Sequence, residues 1–361
     1  MSEKSSKRGL PRLVWAFYFL FFVSIPLYVG FLISPRFADW FNAHISPVVR
    51  GLLAYLTNLL PCSLAELLLL LSPIGLFLLL RLGFRRYADS WRNVGKFAVL
   101  VLSAAALVLS LFTLGFAPAY RGSGLDEKLG IERRDVSRED LYETALILAE
   151  AVNRESETLR YESGGFSVMP LSFGEMNDAL LDAYSSLPVA DRLYSRLKPV
   201  LLSRAMSYTH ITGIYTFFTG EANINVDFPD YTLPFTAAHE LAHQRGIARE
   251  DEASFMAFLA CTESEYSYIR YAGYLNLYEY VAGELWSADR VLYQEVHATL
   301  SPAVRGELAA YSRYFDQFRD SVAGNVSEVV NDTVLTIHGT EGVKSYGMVV
   351  DLAVAYLIPT K

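Results

Sequence analysis

Three long apolar stretches dominate the first third of the chain. Val14 to Ile33 (VWAFYFLFFVSIPLYVGFLI) runs without a charge, Ala65 to Leu80 (AELLLLLSPIGLFLLL) carries one acid near its start, Glu66, and Phe97 to Phe116 is uncharged throughout. About twenty apolar residues in a helix cover the ~30 Å of a bilayer's hydrocarbon, so the pattern predicts three membrane spans, at about 14–33, 65–80 and 97–116. The first run is too long for a secretory signal, and it ends in SPRFADW with no small-residue cleavage site. Between the first two spans, VVRGLLAYLTNLL (Val48–Leu60) reads either as an amphipathic helix resting on the outer membrane surface or as a solvated loop helix.

After residue 117 the pattern changes. No stretch is both long and apolar enough to span, and residues 117–361 are expected to form one sizeable, mainly helical domain. Ser137 to Arg160 has apolar residues at helical spacing behind an N-cap serine. Ser172 with Glu175 forms a capping box for a helix over Phe173–Tyr184. Pro188 is read as opening a short helix through Leu197, Ser301-Pro302 as opening one through Phe318, and the residues from Ser345 as a terminal helix. Ser207 to Phe228 differs, being rich in Thr, Tyr, Ile and Phe with a break at Gly220. It predicts two strands joined near Thr219-Gly220. The second, Ala222–Val226, alternates polar and apolar like a half-buried strand with one open side.

Charge orients these elements. The net charge of −8 is the sum of +7 over residues 1–116 and −15 over the remainder. Lys4, Lys7, Arg8 and Arg12 precede the first span, and Arg81, Arg85, Arg86, Arg92 and Lys96 lie between the second and third. The positive-inside rule then predicts a cytoplasmic N-terminus and 81–96 loop, with 34–64 and everything after 117 outside the cell membrane. An acidic outer part without a basic patch argues against nucleic acid as a partner. The two cysteines, Cys62 and Cys261, exclude a disulfide framework and a four-cysteine metal site. Cys261 reads as a packed thiol.

The candidate chemistry follows the predicted hairpin. PFTAAHELAHQRGIAREDEASFMAFLAC (Pro234–Cys261) contains His239-Glu240-Leu241-Ala242-His243, the H-E-x-x-H pattern of zinc metallopeptidases. Residues four apart share a helix face, so both imidazoles can bind one Zn²⁺. Glu240, about 100° round the helix, is placed to handle the proton of an attacking water. A catalytic zinc takes a third protein ligand. Gly246 can end the first helix, and a second begins near Glu250. Glu250, Ala253, Ser254, Ala257 and Cys261 share one small face suited to close approach, whereas Glu252 lies beside the larger Phe255 and Met256. Facing therefore favours Glu250 over Glu252 as ligand, with Ser254 placed to hydrogen-bond a zinc-bound His.

This HExxH helix, followed by a helix bearing E-x-x-A, resembles the gluzincin metallopeptidases. The resemblance implies a zincin-like α+β outer domain in which His239, His243 and Glu250 bind zinc and Glu240 is the general base. It also implies an edge strand beside the site that holds an extended peptide, a role open to GEANINV, and a Tyr, His or Arg that stabilises the oxyanion. Tyr346 is the preferred candidate, then His338 and His210. Many gluzincins carry an acid where this chain has Ser254, and the His243–Glu250 link is short. The whole chain also resembles the domain of unknown function 3810 family of bacterial membrane proteins. That likeness rests on the three spans, LPCSLAELL from Leu60, GEANIN from Gly220, HELAHQRG with EDEASF, and the ending GVKSYGMVVDLAVAYL. The combined expectation is a membrane-anchored zinc metallopeptidase acting on peptides or proteins outside the bilayer. The alternative is a non-catalytic outer binding or sensor domain stabilised by zinc. Hydrolysis of a non-peptide amide stays open, and an intramembrane protease is disfavoured because the motif lies outside the apolar runs.

Overall fold

A computed structural model describes residues 10–188, 193–337 and 348–359. Five helices open the chain: α1 (Arg12–Ile33), α2 (Pro35–His44), α3 (Ser46–Asn58), α4 (Leu64–Tyr87) and α5 (Trp91–Gly115). Of these, α1, α4 and α5 are long and apolar enough to cross a membrane. Their side chains face outward, as in Leu69, Ile74, Phe77 and Leu78 of α4, all more than half exposed, which suits lipid as solvent. Helices α1 and α4 both pack on α5. The helices outrun the apolar runs that predict them. Arg81, Arg85 and Arg86 continue α4, and Arg92 and Lys96 lie inside α5, so the expected 81–96 loop shrinks to Ala88–Ser90. Local capping fixes these starts: the Ser63 and Ser90 hydroxyls accept from Glu66 N–H and Asn93 N–H.

The later part is mostly helical, with its main core around the helices Arg138–Ser156, Leu233–Gln244, Glu250–Thr262 and Ser267–Ala288. The predicted Ser172/Glu175 capping box forms, and the Ser137 N-cap proves to be a second box with Asp140. The Ser137-capped helix ends at Ser156, short of Arg160, and the Ser172-capped one extends to Ser186. The Ser301-Pro302 helix runs to Phe315, and the last helix spans Val349–Leu357. The helix expected from Pro188 to Leu197 is not found. Residues 193–197 are non-helical, with Leu197 N–H donating to the Asn177 side chain, and 189–192 lie outside the described residues.

The predicted hairpin forms as β2 (Gly213–Thr216) and β3 (Glu221–Ile224), with Gly220 at φ +71 beside the turn. A Cβ on Gly220 would also run into Leu53 of α3 at 2.7 Å. β3 is not half-buried. A two-residue strand, β1 (Lys198–Pro199), pairs parallel along its other side, so the order is β1-β3-β2 and all four β3 residues are buried. Asn223 is held inside through its amide nitrogen, Nδ2 donating to the Ile214 carbonyl and the Thr216 hydroxyl, while its Oδ1 is buried without a partner. The polar residues of this alternation face inward, and among the described residues it is β2 that has no strand along its outer side.

Helices α2 and α3 pack into this assembly. Arg50 of α3, 1% exposed, donates to Asn42 Oδ1 and the Gly115 carbonyl at the end of α5, both at 2.8 Å. Two carboxylates clamp α4 to the later chain in a reciprocal way. Glu221 accepts from Leu64 N–H and Ala65 N–H, both at 2.9 Å, and Glu66 accepts from Leu201 N–H and Leu202 N–H. A carboxylate on the exposed amides of a helix N-terminus is favourable in both hydrogen bonding and dipole.

Candidate metal centre

The HELAH segment lies in the Leu233–Gln244 helix, which starts with Pro234 in its first turn and stops where Gly246 takes φ +84. Ile247 N–H then returns to the Ala242 carbonyl, closing the turn. A side chain at 246 would collide with the Arg50 guanidinium at 2.6 Å. The chain reverses over three residues into the Glu250–Thr262 helix, which packs on the first.

This reversal brings three donor groups together. His239 Nε2 lies 3.0 Å from Glu250 Oε2, and His243 Nε2 lies 3.5 Å from the same oxygen. One donor atom from each of the three residues falls within 4.8 Å of the others. The far nitrogens are held as well: His239 Nδ1 is 3.2 Å from Ser254 Oγ, and His243 Nδ1 is 2.8 Å from the Ile247 carbonyl. Such contacts fix the ring orientation and leave each Nε2 pointing inward. Glu252 is turned away, its Oε1 accepting from Leu125 N–H and Arg249 Nη1. Asp251 faces Arg133 at 3.0 Å. Only one acid of the EDE triplet thus reaches the histidines.

Burial opposes charge on His243, yet the adjoining Glu250 outweighs it and the imidazolium is pushed up to about 9. Burial likewise opposes ionisation of Glu250, but His243 and His239 hold its carboxyl well below the usual range. A carboxylate and two imidazole nitrogens converging in this way could hold a dication through their unprotonated forms.

Glu240 is 5% exposed, and its Oε2 has no hydrogen-bond partner. Burial pushes its carboxyl up, with the backbone N–H of Tyr215 and the two histidines opposing. β2 approaches closely because position 213 is glycine: a Cβ there would sit 2.7 Å from both Cγ and Oε1 of Glu240. Glu240, His239, His243 and Glu250 all line one cavity of about 890 Å³.

Among the other predicted residues, Ser254 reaches His239 as expected, and Cys261 is buried with a thiol that burial pushes up. Both cysteines are free. His210 lines the cavity, but its Nε2 contacts the Phe318 carbonyl at 2.7 Å and its ring packs on Phe315. Tyr346 and His338 lie outside the described residues. Sequence reasoning missed Tyr120, Tyr280 and Glu279, which line the same cavity. Burial and the Glu250 charge keep both phenols protonated, with the Ser254 hydroxyl opposing at Tyr280. The spacing of Asn276, Glu279 and Tyr280 within one helix was the available signal, since positions three and four apart share a face. Tyr120 carried none, because only the fold brings the end of α5 to the site.

The protein is thus mostly helical, with three membrane-length helices and a largely buried His₂Glu cluster opening on a cavity. The family model described as protein of unknown function (DUF3810) matches residues 41–354. The chain therefore belongs to the DUF3810 family. No curated protein and no solved structure matches it.

Proposed function

We propose that the protein is a membrane-anchored, zinc-dependent metallopeptidase of gluzincin type, with its site on the extracytoplasmic side. The observation that carries the reading is the pairing of the His239–His243–Glu250 donor set with a buried carboxylate, Glu240, whose free oxygen opens on the same cavity. The donor set suits zinc: two neutral imidazole nitrogens and one carboxylate, each imidazole braced on its far side, with room left for water and substrate.

His239, His243 and Glu250 would hold the ion, which supplies Lewis acidity towards a carbonyl and towards water at neutral pH. Glu240 takes the proton of the attacking water at Oε2 and delivers it to the leaving amine. A carboxyl raised by burial does both more readily near neutral pH than an exposed one. Tyr120 and Tyr280, protonated and on the cavity wall, offer O–H donors to the developing oxyanion. An extended peptide pairs with β2, which has no strand along its outer side among the described residues, in place of the enclosed β3. Orientation rests on the basic residues gathered at the α4–α5 turn and before α1, which favour the cytoplasm.

Metal analysis of the full-length protein in detergent should find about one zinc per chain. Glu240→Gln should keep that zinc and lose cleavage of an unstructured peptide mixture by about 10³-fold or more. Zinc missing at neutral pH overturns the site. Zinc retained with no cleavage by the unaltered protein favours the non-catalytic zinc domain instead.

A further inference from the structure

The height of the site relative to the bilayer can be read from what packs around it. Phe116, the first residue after α5 and the last of its uncharged run, has its ring centroid 6.2 Å from that of His243. Phe116 also packs on Tyr215 of β2 at 5.3 Å, and Phe112, one turn back inside α5, packs on Phe217 in the β2–β3 turn at 5.2 Å. The hairpin tip, Phe217-Phe218, therefore stands level with the last turn of a membrane-length helix.

A second element gives the same level independently. α3 has two faces. Ser46, Arg50, Ala54 and Thr57 are buried against the rest of the protein, whereas Val48, Leu52, Tyr55 and Leu56 are more than half exposed. An apolar exposed stripe on a helix tethered between two spans is suited to lie in the membrane interface, so the bilayer is its partner. The buried face touches the metal helix. Arg50 sits under Gly246, and Asn42 Nδ2 donates to the Gly246 carbonyl at 3.0 Å. His243 is three residues from that glycine, so a single layer of side chains separates the donor cluster from the interfacial helix.

We infer that this centre cuts polypeptides immediately beside their own membrane span, its substrates being the juxtamembrane segments of other membrane-anchored proteins. The inference rests on the peptidase reading and adds the substrate class. β2 supplies the geometry. It descends from Gly213, against Glu240, to Thr216 and the Phe217-Phe218 tip. Four strand residues cover about 13 Å. An extended chain paired along this edge leaves the site at the lipid surface, so the scissile bond falls about three to eight residues from the end of the substrate's span. A freely soluble protein would have to reach into the headgroup layer to be cut.

The test uses full-length protein co-reconstituted in vesicles with single-span reporters that carry an unstructured outer segment of about 60 residues. One mixed-sequence cassette is placed either beside the span or near the distal end, so tethering and surface density are equal. The proximal cassette should be cut at least about 10-fold faster, with cut sites mapped by mass spectrometry, and Glu240→Gln should cut neither. Equal or faster cleavage of the distal cassette overturns the inference while leaving the peptidase reading intact. The level is also read without any activity, which keeps the inference testable should no peptide be cut. Spin labels at Leu56→Cys and Phe218→Cys, in a Cys62→Ser background, should show the collision profile of the headgroup–acyl boundary. Labels that meet only the aqueous relaxant overturn the inference.

Discussion

Two buried glutamates, Glu307 and Glu240, occupy opposite situations. Glu307 is fully buried, and one oxygen accepts from Ser167 N–H at 2.8 Å and Ser167 Oγ–H at 2.6 Å while the other accepts from the Tyr271 hydroxyl. Tyr268 joins through Ser167. Burial pushes the Glu307 carboxyl up and these donors pull it back. Glu240 is nearly as buried, yet leaves Oε2 without a partner at the wall of a cavity. A buried polar atom without a hydrogen bond costs about 1–3 kcal/mol. On the proposed reading, a carboxylate kept in that condition beside two histidines and a second carboxylate is the one available for chemistry, whereas one with every oxygen occupied holds neighbouring segments together.

Truncating each carboxylate should break the pair most sharply. Glu240→Ala should abolish cleavage and leave the thermal midpoint in detergent unchanged or slightly higher, because it removes an unsatisfied group. Glu307→Ala strands the Ser167 and Tyr271 donors in a sealed interior and should cost about 3–5 kcal/mol, seen as a midpoint lower by roughly 10 °C or more. Equal losses of stability in the two variants would remove the distinction.

A smaller effect tests how the centre is braced. Ser254→Ala frees Nδ1 of His239 without touching any donor to the ion, and zinc affinity measured by chelator competition should fall about 10–100-fold. Ile247 braces His243 through its backbone, so no side-chain substitution there should match that loss. An unchanged affinity in Ser254→Ala would mean that the ring is held by packing alone.

The His239–Glu240–His243 helix, its stop at Gly246 and the facing of Glu250, not Glu252, towards the histidines were legible because each follows from helix geometry within about twenty residues. The three membrane-length helices were legible for a similar reason, since a bilayer imposes a length on the helices that suit it. What the sequence hid is long-range. Lys198-Pro199 is too short to show a strand pattern, yet it covers β3 and leaves β2 without a strand along its outer side among the described residues. Arg50 reads as an isolated cation in an apolar stretch until the carbonyl of Gly115 and the backbone of Gly246 close round it. Tyr120 and Tyr280 are separated by 160 positions and meet only across the cavity.

Glu279 stands between the two kinds of carboxylate. It lines the cavity with Glu240, and burial, then the Glu307 charge, push its carboxyl up to about 8. In the unfolded chain the same group titrates at its ordinary 4.5. At pH values between these two, the folded protein keeps a proton that the unfolded chain has released. Its contribution to stability is therefore complete below 4.5 and is lost progressively as pH rises towards 8. Glu279→Gln is neutral at every pH and keeps the shape. The variant and the original protein should melt together near about pH 4.5, and the variant should melt a few degrees higher near about pH 8.5. A variant less stable at both pH values would show that Glu279 carries partnered oxygens of the Glu307 kind, and the cavity wall would then belong to the scaffold instead of the site.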